Sequence, residues 1–341
     1  DRLEARAQHY RRSAIVGGAA LASAAFAFMN NGRWQECLAA AVAAAIGKFV
    51  QVMLRRFRLN QLAIVALAST TACLVYMLAA LLLHWVLPGE ANPLHEAAFT
   101  SAILFLVPGF PLLTAALDLA RFDFTSGVSR LVYATMITLA AALGAWLVAW
   151  IFGLTPVEIV RPDSPYALLV VLWAIASFAG VFGFAITFNT PMRAALAASV
   201  IGMIANVGRL VAVNAGWNVL LCAVAATTLV GLLAGWASQR LPAPRIILSV
   251  PAVLIMIPGA STFRALVAVI NGNPLNALTN GSTSLAIVVA LASGLAIARM
   301  LTDPAWISAN PAWTHMPETR AQQVLRAKAA ARQRTRRPNL R

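Results

Sequence analysis

Apolar residues run along this chain in long, nearly uncharged blocks, separated by short polar segments or by glycine and proline. The stretches 13–29, 62–83, 166–186, 210–236 and 275–298 carry no charge, and each reaches or approaches the roughly 20 residues that cross a bilayer core as helix. Hydropathy, Gly/Pro punctuation and charge together predict helices over 13–29, 34–53, 60–86, 97–119, 125–152, 166–187, 192–212, 215–236, 246–270 and 279–300. The expected fold is therefore all-α and membrane-integral, with about ten transmembrane helices. The first apolar block reads as a span rather than a cleaved signal, because similar blocks follow it and no small-residue cleavage site stands out.

Composition agrees with that reading. Of 341 residues, 60% are hydrophobic and 11% charged, against roughly 25% charged in ordinary soluble domains. The net charge of +15 raises nucleic acid as a partner, but the charges sit in loops and in a tail, without interleaved aromatics to stack bases. Attraction to anionic lipids at the inner face explains them better. With the N-terminus inside, Arg33, Arg161, Arg209 and Arg264 are the exceptions among 26 basic residues, and 22 fall on inner segments. Lys48 is grouped there with Arg55, Arg56 and Arg58. The distribution predicts an even number of crossings with both termini cytoplasmic, in a bacterial inner membrane.

The chain also repeats. An offset of 150 residues lays Leu104, Pro108, Gly109 and Ala115 over Leu254, Pro258, Gly259 and Ala265, and sets helices one to five roughly over six to ten. Halves with an odd number of crossings enter the membrane in opposite directions, so inverted repeats are expected over 13–153 and 166–301. A basic arm (1–12), a linker (154–165) and a basic tail (302–341) complete the organisation.

The candidate chemistry lies where each half carries a Pro-Gly pair in the middle of its fourth helix. Proline removes a backbone donor and glycine relaxes the chain, so Pro108-Gly109 and Pro258-Gly259 should break their helices. A break at membrane depth survives only inside protein or beside a water-filled cavity. Past the first, Pro111 suits a new first turn, and Thr114 and Asp118 share a face. Past the second, Ser261 or Thr262 is placed to cap the new half-helix, with Arg264 three residues beyond Ser261. Helix N-termini and a guanidinium together favour a carboxylate.

Each of these residues also has a plainer reading. Arg264, about 9 Å past the break, is placed either to bind substrate or to snorkel outward. Asp118 is accounted for by a pair with Arg121, and Asp123 and Ser126 by capping the fifth helix. Asn206 and Arg209, three apart, line the same cavity or anchor an interface.

Cys37, Cys73 and Cys222 have no metal-site spacing, and no nucleotide-binding loop, zinc motif or nucleophile elbow is visible. No cofactor and no enzyme activity are expected.

At these positions the chain resembles the threonine/serine exporters, whose two membrane regions are fused in some members and split between polypeptides in others. The first region's pattern is carried by Pro108-Gly109-x-Pro111, Thr114, Asp118-Leu119, Ser126-Gly127 and Arg130-Leu131. The second's is carried by Pro242-x-Pro244-Arg245, Pro258-Gly259, Ser261 and Arg264. The resemblance implies a ten-helix, proton-linked exporter of threonine and serine; split relatives are associated with succinate, a dicarboxylate. Members usually carry a longer soluble stretch ahead of the first membrane helix than the dozen polar residues here. A homo-oligomer is left open, and a channel or a membrane scaffold are the competing classes.

Overall fold

The structure is a computed structural model that describes residues 9–86, 96–154, 165–270 and 272–303. Its helices follow the apolar blocks. In order they are α1 (Arg12–Met29), α2 (Trp34–Leu54), α3 (Gln61–Val86), α4 (Glu96–Ser101), α5 (Gly109–Ala120), α6 (Phe124–Ile151), α7 (Tyr166–Thr187), α8 (Met192–Asn214), α9 (Val219–Ser238), α10 (Arg245–Leu254), α11 (Gly259–Ile270) and α12 (Pro274–Thr302). Among the described residues there is no strand. Eight of these helices, α1–α3, α6–α9 and α12, are long and apolar enough to cross a membrane. The chain is a multi-pass membrane protein.

Helix ends obey local chemistry. Asp123 accepts a hydrogen bond from the Ser126 amide and so caps α6, as its position predicts. That amide also holds the exposed Asp123 carboxyl below the usual carboxylate range. Asn218 caps α9 by accepting from the amides of Leu220 and Leu221, which places the start of that helix four residues later than hydropathy predicts. Asn273 accepts from Asn276 at the start of α12, which opens at Pro274 rather than at 279.

Side chains sort by size. Along α2, Leu38, Val42, Ile46, Phe49 and Met53 are exposed in a stripe, while Ala39, Ala43, Ala44 and Gly47 are buried. α6 does the same with Leu139, Leu143, Leu147 and Trp150 outside and Ala141, Gly144, Ala145 and Val148 inside. In lipid, large apolar side chains gain little by turning inward, so association rests on small residues that let backbones approach.

One packing scheme occurs twice. α1 packs on α2, α2 on α3, α3 on α6 and α5 on α6; likewise α7 packs on α8, α8 on α9, α9 on α12 and α11 on α12. Close approaches match too. A Cβ on Gly144 would lie 2.5 Å from the Ala66 carbonyl oxygen and 2.9 Å from Ser69 and Thr70, and one on Gly294 would collide with Thr227 and the Val224 carbonyl oxygen. Linking the two sets, α1 crosses α7 backbone to backbone: a Cβ on Gly18 would be 2.8 Å from the Gly183 carbonyl oxygen, and Gly183 in turn meets the Gly18 oxygen and Ala22.

Candidate functional site

Both Pro-Gly pairs interrupt their helices, with the same backbone geometry. In the first, Leu106 donates to Ile103, Val107 to Leu104, and Gly109 to Val107 at 2.8 Å; in the second, Met256 donates to Val253, Ile257 to Leu254, and Gly259 to Ile257 at 2.9 Å. The last bond of each set spans a single proline. Pro108, with φ −79° and ψ 59°, is the centre of an inverse γ-turn, the tightest reversal that needs no left-handed residue. Each turn delivers its glycine as the first residue of a new helix, α5 or α11.

The breaks face each other. A Cβ on Gly109 would strike Leu254 and lie 3.4 Å from Ile257, so the backbone at the first break rests on the residues just before the second. Gly180 of α7 meets Ile255 in the same way, and Gly259 lies against the ring of Phe26 on α1, where a Cβ would be 3.2 Å away. Pro108, Gly109, Pro258 and Gly259 therefore belong to one region, roofed by α1 and α7. Absence of a side chain at positions 109 and 180 is what allows the approach.

The remaining candidates fall around it unevenly. Thr114 is buried one turn into α5, its hydroxyl donating to the Phe110 and Pro111 carbonyls. Ser261 and Arg264 are half-buried on α11. Neither Ser261 nor Thr262 caps that helix, contrary to the sequence expectation. α11 already begins at Gly259, and the Thr262 hydroxyl bonds back to Pro258 at 2.8 Å and meets Ser284 Oγ of α12 at 2.6 Å. Glycine suits the first position after the γ-turn, which leaves the hydroxyls to tie α11 to α12.

Asp118 stands three turns from the first break. Its carboxylate takes the Arg130 guanidinium of α6 at 2.6 Å, rather than resting on Arg121 alone as sequence spacing suggests. Tertiary packing of α5 on α6 brings the more distant arginine across. The partners are 23% and 50% exposed, so the pair contributes about 0.2–1 kcal/mol. Arg130→Gln is expected to lower the melting temperature in detergent by no more than a few degrees. A larger fall would mean that the pair holds α5 on α6 more strongly than a half-exposed ion pair does.

Asn206 is fully buried on α8. Its amide donates to Ser177 Oγ of α7 at 2.9 Å and to Met29 Sδ of α1 at 3.3 Å, and its oxygen accepts from Arg209 Nε at 3.0 Å. Met29 follows Phe26, and Ser177 precedes Gly180, by three residues, so this polar cluster sits about one helical turn along α1 and α7 from the residues that touch the second break region. Spacing alone places Asn206 beside Arg209; the contributions of Ser177 and Met29 needed the crossing of α1, α7 and α8.

Lys48 is the residue that reading in sequence order misplaces. It belongs to the buried face of α2, not to the basic loop after it, and its Nζ lies 5.6 Å from the centre of the Phe105 ring in the turn before the first break. The available signal was a lone charge inside an apolar block.

Comparison with known proteins points the same way. Residues 1–152 match a family profile described as threonine/serine exporter, and residues 173–301 match a second, described as "Threonine/Serine exporter, ThrE". The chain is 25% identical over 322 residues to a "Probable threonine/serine exporter" of Mycobacterium tuberculosis, covering 89% of this chain and 58% of the relative. It is 29% identical over 148 residues to the "Probable succinate transporter subunit YjjP" of Escherichia coli, covering 42% of this chain and 54% of the relative. The chain thus spans little more than half the length of the curated relatives it matches. No solved structure matches it. With one profile carrying the first Pro-Gly break and the other carrying the second, the chain belongs to the threonine/serine exporter family.

Proposed function

We propose that this chain is a secondary transporter that exports small polar metabolites bearing a carboxylate, threonine and serine foremost, in exchange for protons. The observation that carries the reading is the meeting of the two Pro-Gly breaks, one from each matched region, around a backbone freed from helical bonding. Broken helices that meet in the middle of a bundle supply amide and carbonyl ligands where lipid supplies none. Substrate sits there. Its carboxylate is held by the α11 terminus and Arg264, and its polar groups by Thr114, Ser261, Thr262 and the Asn206 cluster.

Matching hydrogen bonds and matching helix pairs support two five-helix repeats, 13–153 and 166–301, each with its fourth crossing split in two. An odd number per repeat makes them inverted, with a pseudo-two-fold axis in the membrane plane. Both termini are then on the cytoplasmic side of the bacterial inner membrane, where the basic tail meets anionic lipid. In a background with Cys37, Cys73 and Cys222 replaced, Trp217→Cys is expected to react with an impermeant thiol reagent in intact cells, and Gln239→Cys only after permeabilisation. Labelling of both from outside would refute the arrangement.

A second substrate reading has its own observation. Arg209 spends only Nε on Asn206, about one turn from the residues that touch the second break region, and a second cation beside the site suits a dicarboxylate such as succinate. Flux of labelled threonine, serine and succinate through purified protein in liposomes separates the two. Saturable counterflow of threonine supports the first reading, and counterflow of succinate alone replaces it. Unsaturable leak makes the protein a channel, and no flux at all makes it a scaffold.

A further inference from the structure

A charge inside the membrane that neighbours do not balance calls for a role, and Lys48 is such a charge. It lies six residues inside the end of α2, about 9 Å along the helix axis. Its side chain is 7% exposed. Nζ donates to Gln51 Oε1 at 2.9 Å and stands over the face of Phe105, and among the described residues no carboxylate pairs with it. An amide oxygen and a ring face stabilise an ammonium only in part, whereas a buried cation usually finds an acid.

The titratable groups on the elements packed around it are few. On α2 itself the nearest charge is Arg55, with Arg56 beyond it in the following turn, while the buried Glu36 lies in the first turn at the other end of the helix. Phe105 represents the turn before the first break, and α3 presents Ala68 and Ala72 against adjacent Gly47, with the buried Cys73 and Tyr76 farther along it. α1 has no ionisable residue after Arg12, and α4 has Glu96 at its first position. Around Nζ itself the described groups are an amide, an aromatic ring and apolar side chains, so a proton held there is balanced by no described acid.

We propose that Lys48 is the proton-carrying group of this transporter, linked to the substrate site through Phe105, which lies three residues before Pro108. The inference rests on the reading of the chain as a proton-coupled exporter of amino acids. With the site open to the outside and empty, neutral Nζ takes a proton from outer water. The protonated, empty protein turns inward. There the ammonium of the arriving amino acid and the ammonium of Lys48 repel each other across a dehydrated site, and Nζ gives its proton to inner water. The neutral, loaded protein turns outward and releases substrate. One proton moves in for each amino acid moved out.

The test uses the full chain in proteoliposomes with labelled threonine, and compares exchange at equal pH with accumulation against an imposed pH gradient. Lys48→Gln cannot carry a proton and Lys48→Arg cannot lose one, since a guanidinium stays charged below about pH 12. Lys48→Gln is expected to keep threonine–threonine exchange within about threefold of the parent and to lose gradient-driven accumulation, because exchange cycles only the neutral, loaded form; Lys48→Arg, which keeps the repelling charge, is expected to lose both. If either variant still concentrates threonine, Lys48 is not the carrier. If Lys48→Gln loses exchange while eluting as folded protein, or Lys48→Arg keeps it, Lys48 belongs to the substrate site or the scaffold and the proposal is overturned. A parent protein that exchanges threonine but ignores the pH gradient overturns proton coupling itself. One that moves neither threonine, serine nor succinate overturns the export reading and this inference with it.

Discussion

Arg264→Ala is expected to abolish threonine export, with the protein present in the membrane at near-parental levels. Arg264 follows the second break by six residues, on the helix that begins at that break, and it is a charge where charge is costly. A guanidinium there offers a carboxylate two parallel hydrogen bonds; an ammonium offers the charge without the fork. Arg264→Lys should therefore retain a fraction of the activity, which Arg264→Ala lacks. Losing one charge-assisted pair in a partly dehydrated site is worth about 2–5 kcal/mol, or tenfold and upward in transport. Export at the parental rate by Arg264→Ala would mean that the side chain only reaches for the interface, and the carboxylate would then be sought at Arg209 and Asn206.

Gly183→Val should remove transport by a different route, through the fold. A Cβ at position 183 runs into the Gly18 carbonyl oxygen and lies 2.7 Å from the Ala22 amide nitrogen. Those are backbone atoms of a neighbouring helix, and no rotamer change moves them. α1 must be pushed away from α7, which opens the seam that roofs both breaks, at a cost of about 1–3 kcal/mol for overpacking and more if the seam does not close again. The measurement is the melting temperature in detergent together with exchange in liposomes; both should fall. Gly17→Ala is the control, because nothing lies within 4 Å of a Cβ there, and it should match the parent. A Gly183→Val protein that melts and transports like the parent would mean that the helices cross less tightly than the structure has them.

Much of this architecture is legible in the chain because the membrane restricts it to few options. Eight of the predicted blocks became helices long and apolar enough to cross a membrane, and the two with Pro-Gly at their centres became pairs of shorter helices, α4 with α5 and α10 with α11. Backbone chemistry is local, so Pro108 and Pro258 announce their turns. Partners across the bundle are another matter. That Asp118 meets Arg130, that Thr262 meets Ser284, and that Asn206 meets Ser177 and Met29 depends on how helices far apart in sequence rotate against one another. Hydropathy does not report rotation. Lys48 illustrates the same gap, since a basic residue two turns before Arg55 and Arg56 looks like part of their loop until the buried face of α2 is known. The start of α12 shows a weighting error instead: Asn273-Pro274 is a good helix opening, but the polar run from Asn276 to Ser284 hides it.

The paired contacts of Gly144 and Gly294 bear on how such a sequence drifts over time. Each glycine lies against a carbonyl oxygen and a hydroxyl-bearing turn of the adjoining long helix, Ala66 to Thr70 in one case and Val224 to Thr228 in the other. What both places have in common is the lack of a side chain. Around these points residues are free to change as long as lipid still accepts them. Two distant positions are thus bound to one rule of variation: in related chains both sites should stay at glycine while the residues around them change, so that what persists there is missing atoms.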